Sequence, residues 1–220
     1  MIKIKRFYFN EFREYCIVAG DETGECVIVD PGCGTAEEKA ELYGYIEKEG
    51  LKPVKILLTH AHFDHVLGLT DCTRKYGIPA CMHPEERRTL ASNGIFAKNF
   101  GFVMPAVEAE FTDLADGDTV TFGNTAFEVL HTPGHTPGGV CYLDKADKVL
   151  FSGDTLFAGS IGRTDLPDGD YDILMKSLIR LMCLDGDIYV IPGHGPATTV
   201  ADEHTKNPFL QPFNLPADEA

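Results

Sequence analysis

Three histidines and an aspartate lie within six residues in the segment His60-Ala61-His62-Phe63-Asp64-His65. Imidazole and carboxylate groups are the ligands that zinc and similar borderline ions prefer. The apolar run at 54–58 predicts a buried strand that ends at Thr59, directly before this segment. We expect His60 and His62 to share one ion, and Asp64 and His65 to reach a second ion at the turn into the following helix. A set of surface histidines at a helix start is the alternative interpretation.

Three further candidate ligands, His135, Asp154 and His194, favour the metal site over that alternative. Each follows a short β-rich run and has glycine beside it. A sheet holds such strand-end residues rigidly, and the glycines let the backbone approach an ion closely. Of the remaining histidines, His131 is interpreted as a packed or supporting residue.

Length and composition bound the class of protein. The chain has 220 residues, of which 44% are hydrophobic, and this predicts one core and a single domain over 1–220. The first nine residues alternate in character and are too short and too charged for a signal peptide. No apolar stretch approaches the length of a membrane span. We therefore expect a soluble, cytoplasmic protein.

Charge and cysteine content restrict the partners. A formal net charge of −15 argues against nucleic acid and against an anionic membrane surface. The seven cysteines are scattered and contain no Cys-x-x-Cys pair, which predicts buried, reduced thiols and no cysteine ligand. Two divalent ions would make the site locally positive, and this favours a small anionic substrate. The sequence carries no signal for an oligomeric state.

Strand and helix patterns alternate irregularly along the chain. In the first half they predict strands at 2–9, 14–19, 25–30, 54–58 and 79–82, and helices at 35–49, from the histidine segment to about residue 76, and at 84–91. In the second half they predict hairpins around 123–124 and 144–147, helices at 170–182 and 199–205, and a strand at 187–191. Both halves run from strands to a ligand loop to a helix. This order predicts two packed β-sheets with helices outside.

Three segments are predicted to lack regular structure. Residues 92–113 and 155–169 are interpreted as loops, and the Pro-rich stretch at 207–220 as an extended tail. Phe96, Phe100 and Phe102 lie in the first of these segments. We interpret them as packing residues, with a cover over the site as the alternative. His83 and His204 are expected at the surface.

The ligand pattern resembles that of the metallo-β-lactamase superfamily over nearly the whole chain. Residues 60–65 match its His-x-His-x-Asp-His motif. The resemblance implies an α+β fold, the αβ/βα sandwich of two mixed β-sheets packed face to face with helices outside. It also implies two metal-binding groups: His60, His62 and His135 for the first ion, and Asp64, His65 and His194 for the second. Asp154 would bridge the ions, and Asp30 would orient the histidine loop without binding metal.

Within this superfamily, residues 156–166, 193–199 and 206–210 resemble the single-domain, glyoxalase II-like (hydroxyacylglutathione hydrolase-like) hydrolases. The resemblance implies hydrolysis of a thioester such as S-lactoylglutathione by a metal-bridging hydroxide. Two ions, zinc first and iron or manganese as alternatives, would lower the pKa of a shared water to around 7. Asp64 and Asp154 would be catalytic. Only 26 residues follow His194, so we expect no counterpart of the glutathione-binding helical domain of longer glyoxalase II enzymes.

Arg163 is the substrate-side candidate, because it lies on the Gly-rich loop after Asp154, where a guanidinium could clamp a carboxylate. The alternative is a structural salt bridge to Asp165.

Other functions stay open at this point. Persulfide dioxygenases have a similar length and ligand pattern, and would use one iron held by His60, His135 and Asp154. The loop at 159–163 favours the hydrolase. Lactone or phosphoester hydrolysis and a non-catalytic metal-binding module are further alternatives. We do not expect lactam hydrolysis, because the β-lactamases of the superfamily are exported and usually carry cysteine in place of Asp154.

Overall fold

A computed structural model describes residues 1–101, 103–104 and 106–211. Its central feature is a pair of six-stranded sheets that pack face to face. Both sheets contain parallel and antiparallel neighbours, and helices cover their outer faces. The α+β fold with two mixed sheets and external helices, predicted from the sequence, is therefore confirmed.

The first sheet forms from the N-terminal half of the chain. Its strands, β1 to β6, span Lys3–Phe9, Glu14–Gly20, Glu25–Val29, Lys52–Leu57, Ala80–Met82 and Phe111–Asp113. They lie in sequence order across the sheet. β1, β2 and β3 form an antiparallel meander, and β3 to β6 are parallel to one another. The carboxyl ends of β3, β4 and β5 consequently meet at one edge of this sheet.

The second sheet forms from the C-terminal half. Strands β7 to β10 span Thr119–Phe122, Thr125–His131, Val140–Asp144 and Val149–Gly153, the short pair β11 and β12 spans Leu156–Phe157 and Ser160–Ile161, and β13 and β14 span Tyr189–Pro192 and Thr198–Thr199. The spatial order is β14-β13-β10-β9-β8-β7, and β11 pairs with β12 outside the sheet. Because β10 and β13 are parallel neighbours, the segments that follow them leave the sheet side by side.

The helices α1 to α6 span Ala36–Lys48, Phe63–Val66, Leu69–Tyr76, Glu86–Asn99, Tyr171–Met182 and Val200–Lys206. Alternation along the strands supplies three apolar layers. Along β2, for example, Ile17 faces the second sheet while Cys16 and Val18 face the helical side. On the other side, Leu174 and Leu178 of α5 pack on the outer face of the second sheet. The stacked layers hold both strand-end edges in fixed relative positions.

The prediction of irregular structure is wrong in part for two segments. The helix predicted to end at 91 continues to Asn99. The prediction ended it too early because its buried positions, although helically spaced, are polar or small and form no apolar stripe. Gly94 is tolerated within it on the exposed face. The loop predicted at 155–169 contains the β11–β12 hairpin.

The predicted extended tail also differs from the structure. Residues 208–210 form a turn, because Leu210 is fully buried and the Asn207 amide donates to Ser160 O and to Glu203. Residues 212–220 lie outside the described residues. All seven cysteines are free, and six are buried as predicted; Cys183 is exposed.

Candidate metal centre

The seven candidate ligands come together at one end of the two sheets. They lie on five segments: His60 and His62 after β4, Asp64 and His65 in α2, His135 between β8 and β9, Asp154 after β10, and His194 after β13. The first sheet delivers four of them and the second sheet three. His60, His65 and His135 are at most 5% exposed.

Two groups of ligand atoms form within this cluster. The first contains His60, His62 and His135, and the second contains Asp64, His65 and His194; within each group the atoms lie within 4.8 Å of one another. His62 Nδ1 is 3.0 Å from His135 Nε2 in the first group. His65 Nε2 is 3.3 Å from His194 Nε2 in the second. These groups coincide with the two sets that the resemblance implies.

Asp154 lies between the groups. Its Oδ2 is 3.6 Å from His135 Nε2 and 3.7 Å from His194 Nε2, and its Oδ1 is 3.6 Å from His65 Nε2. Oδ1 is buried and has no hydrogen-bond partner among the described residues. A carboxylate in this position faces both groups at once.

Outward hydrogen bonds fix which imidazole nitrogen carries the hydrogen. The Nδ1 atoms of His135 and His194 face the carbonyl oxygens of Arg163 (2.7 Å) and Phe12 (3.0 Å), which only accept. His65 Nδ1 faces the Asp30 carboxylate at 3.1 Å. These rings therefore present the lone pair of Nε2 to the centre when they are neutral.

His60 follows the same rule. The Thr59 hydroxyl donates to Asp30 Oδ2 (2.5 Å) and accordingly accepts from His60 Nδ1 at 3.1 Å. His60 Nε2 is then an acceptor, and it is buried with no hydrogen-bond partner in the part of the chain that the structure describes. When the rings are neutral, several Nε2 lone pairs thus converge on the centre, an arrangement that a cation would neutralise.

Asp30 supports the histidine segment from behind. Its backbone has φ +48°, so the residue turns sharply as β3 ends. Its carboxylate accepts from Thr59 N (2.7 Å), from the Thr59 hydroxyl and from His65. Although Asp30 also lies near His60 and His65 as a possible metal ligand, these three donors occupy both of its oxygens. The geometry therefore favours an orienting role.

The pKa shifts of the histidines differ between the two ligand groups. Burial lowers the pKa of His60 well below its usual value, and burial together with His135 lowers the pKa of His62 to about 3. Burial alone would raise the pKa of Asp64, but His65 and His194 outweigh it and hold that pKa at about 2. For His65, burial is outweighed by Asp64, Asp154 and Asp30, which raise its pKa. A bound cation would take the place of the His65 proton.

Two glycines are required by the close packing at Asp154. Gly153 has φ +49°, a conformation that L side chains rarely adopt. A Cβ at Gly193 would lie 2.4 Å from Asp154 Oδ1 and 2.8 Å from His65 Cε1. Any larger residue at 193 would displace a candidate ligand.

A cleft of about 390 Å³ opens beside this cluster. Phe157, Ile161 and Pro196 form its apolar wall, while His135, Asp154 and His194 reach it from the ligand groups. Arg163 is at its edge. Its guanidinium donates to both oxygens of Asp165, at 2.8 and 2.7 Å, and both side chains are more than half exposed. The salt bridge considered from the sequence is therefore present.

Aromatic residues border the other side of the cluster. Phe96 of α4 stacks on His62 with ring centroids 6.2 Å apart, and Phe63 contacts both Phe96 and Phe100. Phe96 thus packs beside the site and covers its His62 side, while Phe100 packs on Phe63 and Phe96; Phe102 lies outside the described residues. His131 stacks on His83 at 4.0 Å, away from the ligand groups, and His204 is exposed.

Sequence reasoning missed two buried polar residues of α4 that contact the ligand loops, Glu86 and Asn93. The only signal in the sequence was the helical spacing of 7 between them. Thr59 and the Phe12 carbonyl were also missed, because their roles depend on backbone positions that no pattern encodes.

A family model of the metallo-beta-lactamase superfamily matches residues 10–194. This chain belongs to the metallo-beta-lactamase superfamily. Among the described residues of this superfamily member, no helix combines the length and the apolar character needed to cross a membrane.

Two relatives cover most of the chain. The probable metallo-hydrolase YqgX of Bacillus subtilis (strain 168) is 39% identical over 204 residues, which is 91% of this chain and 93% of that protein. The hydroxyacylglutathione hydrolase GloC of Haemophilus influenzae is 38% identical over 204 residues, 90% of this chain and 93% of its own. The superfamily member is thus similar to hydrolases over its length.

Solved structures of the same fold carry varied names. BLEG-1 B3 metallo-beta-lactamase has a TM-score of 0.87 and 38% identity, covering 94% of this chain and 99% of its own. TTHA1623, solved in a di-iron-bound form, has a TM-score of 0.85 and 37% identity, covering 94% and 100%. ETHE1 from Myxococcus xanthus has a TM-score of 0.77 and 25% identity, covering 98% and 92%. The shared fold therefore leaves the reaction to be argued from the site.

Proposed function

We propose that this protein is a metal-dependent hydrolase that cleaves a thioester such as S-lactoylglutathione. The observation that carries the proposal is the pair of ligand groups joined by Asp154. Similarity to a hydroxyacylglutathione hydrolase over 90% of the chain supports the substrate class.

The residues fit two divalent ions. In each group an imidazole nitrogen lies 3.0–3.3 Å from another; two nitrogens bound at about 2.0–2.1 Å to one tetrahedral zinc are roughly 3.3 Å apart. We assign His60, His62 and His135 to the first ion, Asp64, His65 and His194 to the second, and Asp154 to both. Zinc suits this donor set, and iron is supported by the di-iron form of TTHA1623.

Bound ions would supply an activated water at neutral pH and a positive charge for the developing oxyanion. The protein's own groups would then orient the reactants. Asp64 is held ionised, with a pKa of about 2, so it accepts hydrogen bonds and does not serve as an acid. Because a thiolate leaves readily, no strong general acid is needed. We therefore assign catalytic roles to Asp64 and Asp154 and to no serine or cysteine.

The cleft suits a substrate with an apolar and an anionic part. Its volume of about 390 Å³ falls within the usual range of small-molecule sites. The apolar wall at Phe157 and Ile161 would receive the hydrocarbon part. Arg163 would contact the anionic part, although its bond to Asp165 has to be shared or broken for this.

Persulfide dioxygenation is the second candidate. Structural similarity to ETHE1 at 25% identity over 98% of the chain favours it. In that case one iron would bind His60, His135 and Asp154, and His194 would not be required. Lactam hydrolysis also has to be assayed, because BLEG-1 has the same fold at 38% identity.

One set of measurements tests these alternatives on a single protein sample. Metal content is determined first, and then S-lactoylglutathione hydrolysis, persulfide-dependent oxygen uptake and β-lactam hydrolysis. We expect two ions per chain and thioester hydrolysis that stops in Asp154→Ala but not in Asp187→Ala, a control at an exposed aspartate that binds Lys148. Oxygen uptake with one iron per chain would replace the proposal with the dioxygenase.

A further inference from the structure

We propose that Glu86 and Asn93 of α4 are positioning residues that set the geometry of the first ligand group, His60, His62 and His135. The inference rests on the proposed metal centre, but not on the thioester as substrate. Neither side chain is a candidate ligand itself. They act on the backbone of the two loops that carry these histidines.

Glu86 joins the two loops. Its Oε2 accepts from Ala61 N at 2.6 Å, and its Oε1 accepts from Gly138 N at 2.8 Å. Ala61 belongs to the first sheet's ligand segment and Gly138 to the second sheet's ligand loop. A carboxylate that is 1% exposed thus spans from one half of the fold to the other.

Asn93 completes the hold on Ala61. Its amide donates to Ala61 O at 2.7 Å. The N–H of Ala61 belongs to the peptide after His60, and its C=O belongs to the peptide before His62. Because both peptides are fixed by hydrogen bonds, the angle between the two imidazole-bearing residues is fixed as well.

The helix presents both side chains in the same direction. Residues 86 and 93 are seven apart, close to two turns of an α-helix, so they lie on one face. Thr89 and Ala97 are buried on that face too. A Cβ at Gly138 would lie 2.8 Å from Glu86 N, which shows how closely the loop packs on the first turn of α4.

Stability alone does not explain a buried carboxylate here. The sheets are already joined beneath the loops by Val140 N, which donates to Thr59 O at 2.8 Å. An apolar side chain would fill the space at 86 but would leave two N–H groups without acceptors. Glu86 satisfies both donors at the level of the histidines, where loop position determines ligand position.

The inference makes a prediction that differs between the two groups. Among the described residues, the side chains of Glu86 and Asn93 bond only to the loops that carry His60, His62 and His135. The second group is held from behind by Asp30 and Phe12. Loss of a residue that orients metal ligands typically weakens metal binding by about 10–100-fold. Glu86→Gln places an NH2 group against one of the two N–H donors. Only the first ion should be released more easily.

The experiment is a stepwise titration of the metal-free full chain with cobalt(II), followed by its visible absorption bands. His135→Ala and His194→Ala identify which step belongs to which group. We expect Glu86→Gln and Asn93→Ala to weaken cobalt binding at the first ligand group about 10–100-fold. Cobalt binding at the second ligand group should stay within about twofold of the wild type. Glu85→Gln, at the exposed position just before α4, and Asn99→Ala, at its exposed last residue, should bind as the wild type does. Urea unfolding of the metal-free forms measures stability separately.

Equal weakening of both steps would overturn the inference, as would lower stability in urea with unchanged cobalt affinity. If Glu86→Gln does not fold, Asn93→Ala decides by the same criterion. A wild-type protein that binds no cobalt would overturn the metal centre and this inference together. Two cobalt steps without thioester hydrolysis would refute only the proposed substrate.

Discussion

Asp30→Asn perturbs the second ligand group with little change of shape. Asn tolerates the positive φ of residue 30, so the backbone turn is preserved. The carboxylate, however, accepts from Thr59 N, from the Thr59 hydroxyl and from His65 Nδ1. An amide has one oxygen, so at least one of these buried donors must face an NH2 group.

The magnitude follows from which oxygen is replaced. If the amide nitrogen faces Thr59 N, a buried donor is left unpaired, which costs about 1–3 kcal/mol. His65 then bonds to a neutral oxygen, and the weaker bond loses about 1.4 kcal/mol, which is roughly tenfold in metal affinity. If the nitrogen faces His65 instead, the ring has to move its hydrogen to Nε2 and loses its lone pair for the metal. Either orientation weakens the binding of the second ion.

The assay combines thermal unfolding of the metal-free chain with cobalt titration. We expect Tm to fall by roughly 2–12 °C for a chain of this size. Cobalt binding at the second ligand group should weaken about 10–100-fold. The matched control is Asp168→Asn, which also has positive φ (72°) but bonds to the exposed Arg88. That change should cost at most about 1 kcal/mol and leave both steps unchanged. Unchanged cobalt binding in Asp30→Asn would show that the reasoning about His65 is wrong.

Three further predictions test other parts of the molecule. Elemental analysis after saturation should find two ions per chain, and one in His65→Ala or His194→Ala; two ions in both variants would contradict the assignment. Burial alone would raise the pKa of Asp21, but hydrogen bonds from neighbouring hairpins hold it at about 2. Its stabilising effect is therefore present above pH 4 and lost as pH falls toward 2, so Asp21→Asn should flatten the acid limb of a urea-midpoint profile. Arg163→Ala should raise KM for an anionic thioester more than it lowers kcat. Asp165→Ala, which frees the guanidinium, should lower KM. Unchanged KM in both variants would show that Arg163 does not contact the substrate and serves only in the salt bridge.

The candidate ligands could be predicted because each is local to a strand end. Strand patterns at 54–58 and 187–191 placed His60 and His194 correctly beyond β4 and β13. These placements did not depend on the structure of the intervening chain. The layered arrangement followed from the same alternation. These features depend on hydrophobic periodicity, which a single sequence displays directly.

Helix α4 could not be read in the same way. Its buried face carries Glu86, Thr89 and Asn93, so the usual apolar stripe is absent and the predicted helix ended early. The side chains of Glu86 and Asn93 bond to loop backbone. Their partners, Ala61 and Gly138, lie 25 and 52 residues from Glu86 in sequence. No local pattern reports such pairs, and the same holds for His194 and the Phe12 carbonyl.

The metal centre also bears on how the two halves of the fold are held together. The apolar layer between the sheets, built from residues such as Val29 and Phe151, depends on no ligand. At the strand ends, by contrast, imidazole nitrogens from both halves meet at 3.0–3.3 Å, the spacing of two ligands that share one ion. Ion binding to the folded chain alone stabilises it by mass action. The contribution of the ions is therefore concentrated at this edge, so metal removal should loosen the ligand loops and the α4 contacts well before it affects the core.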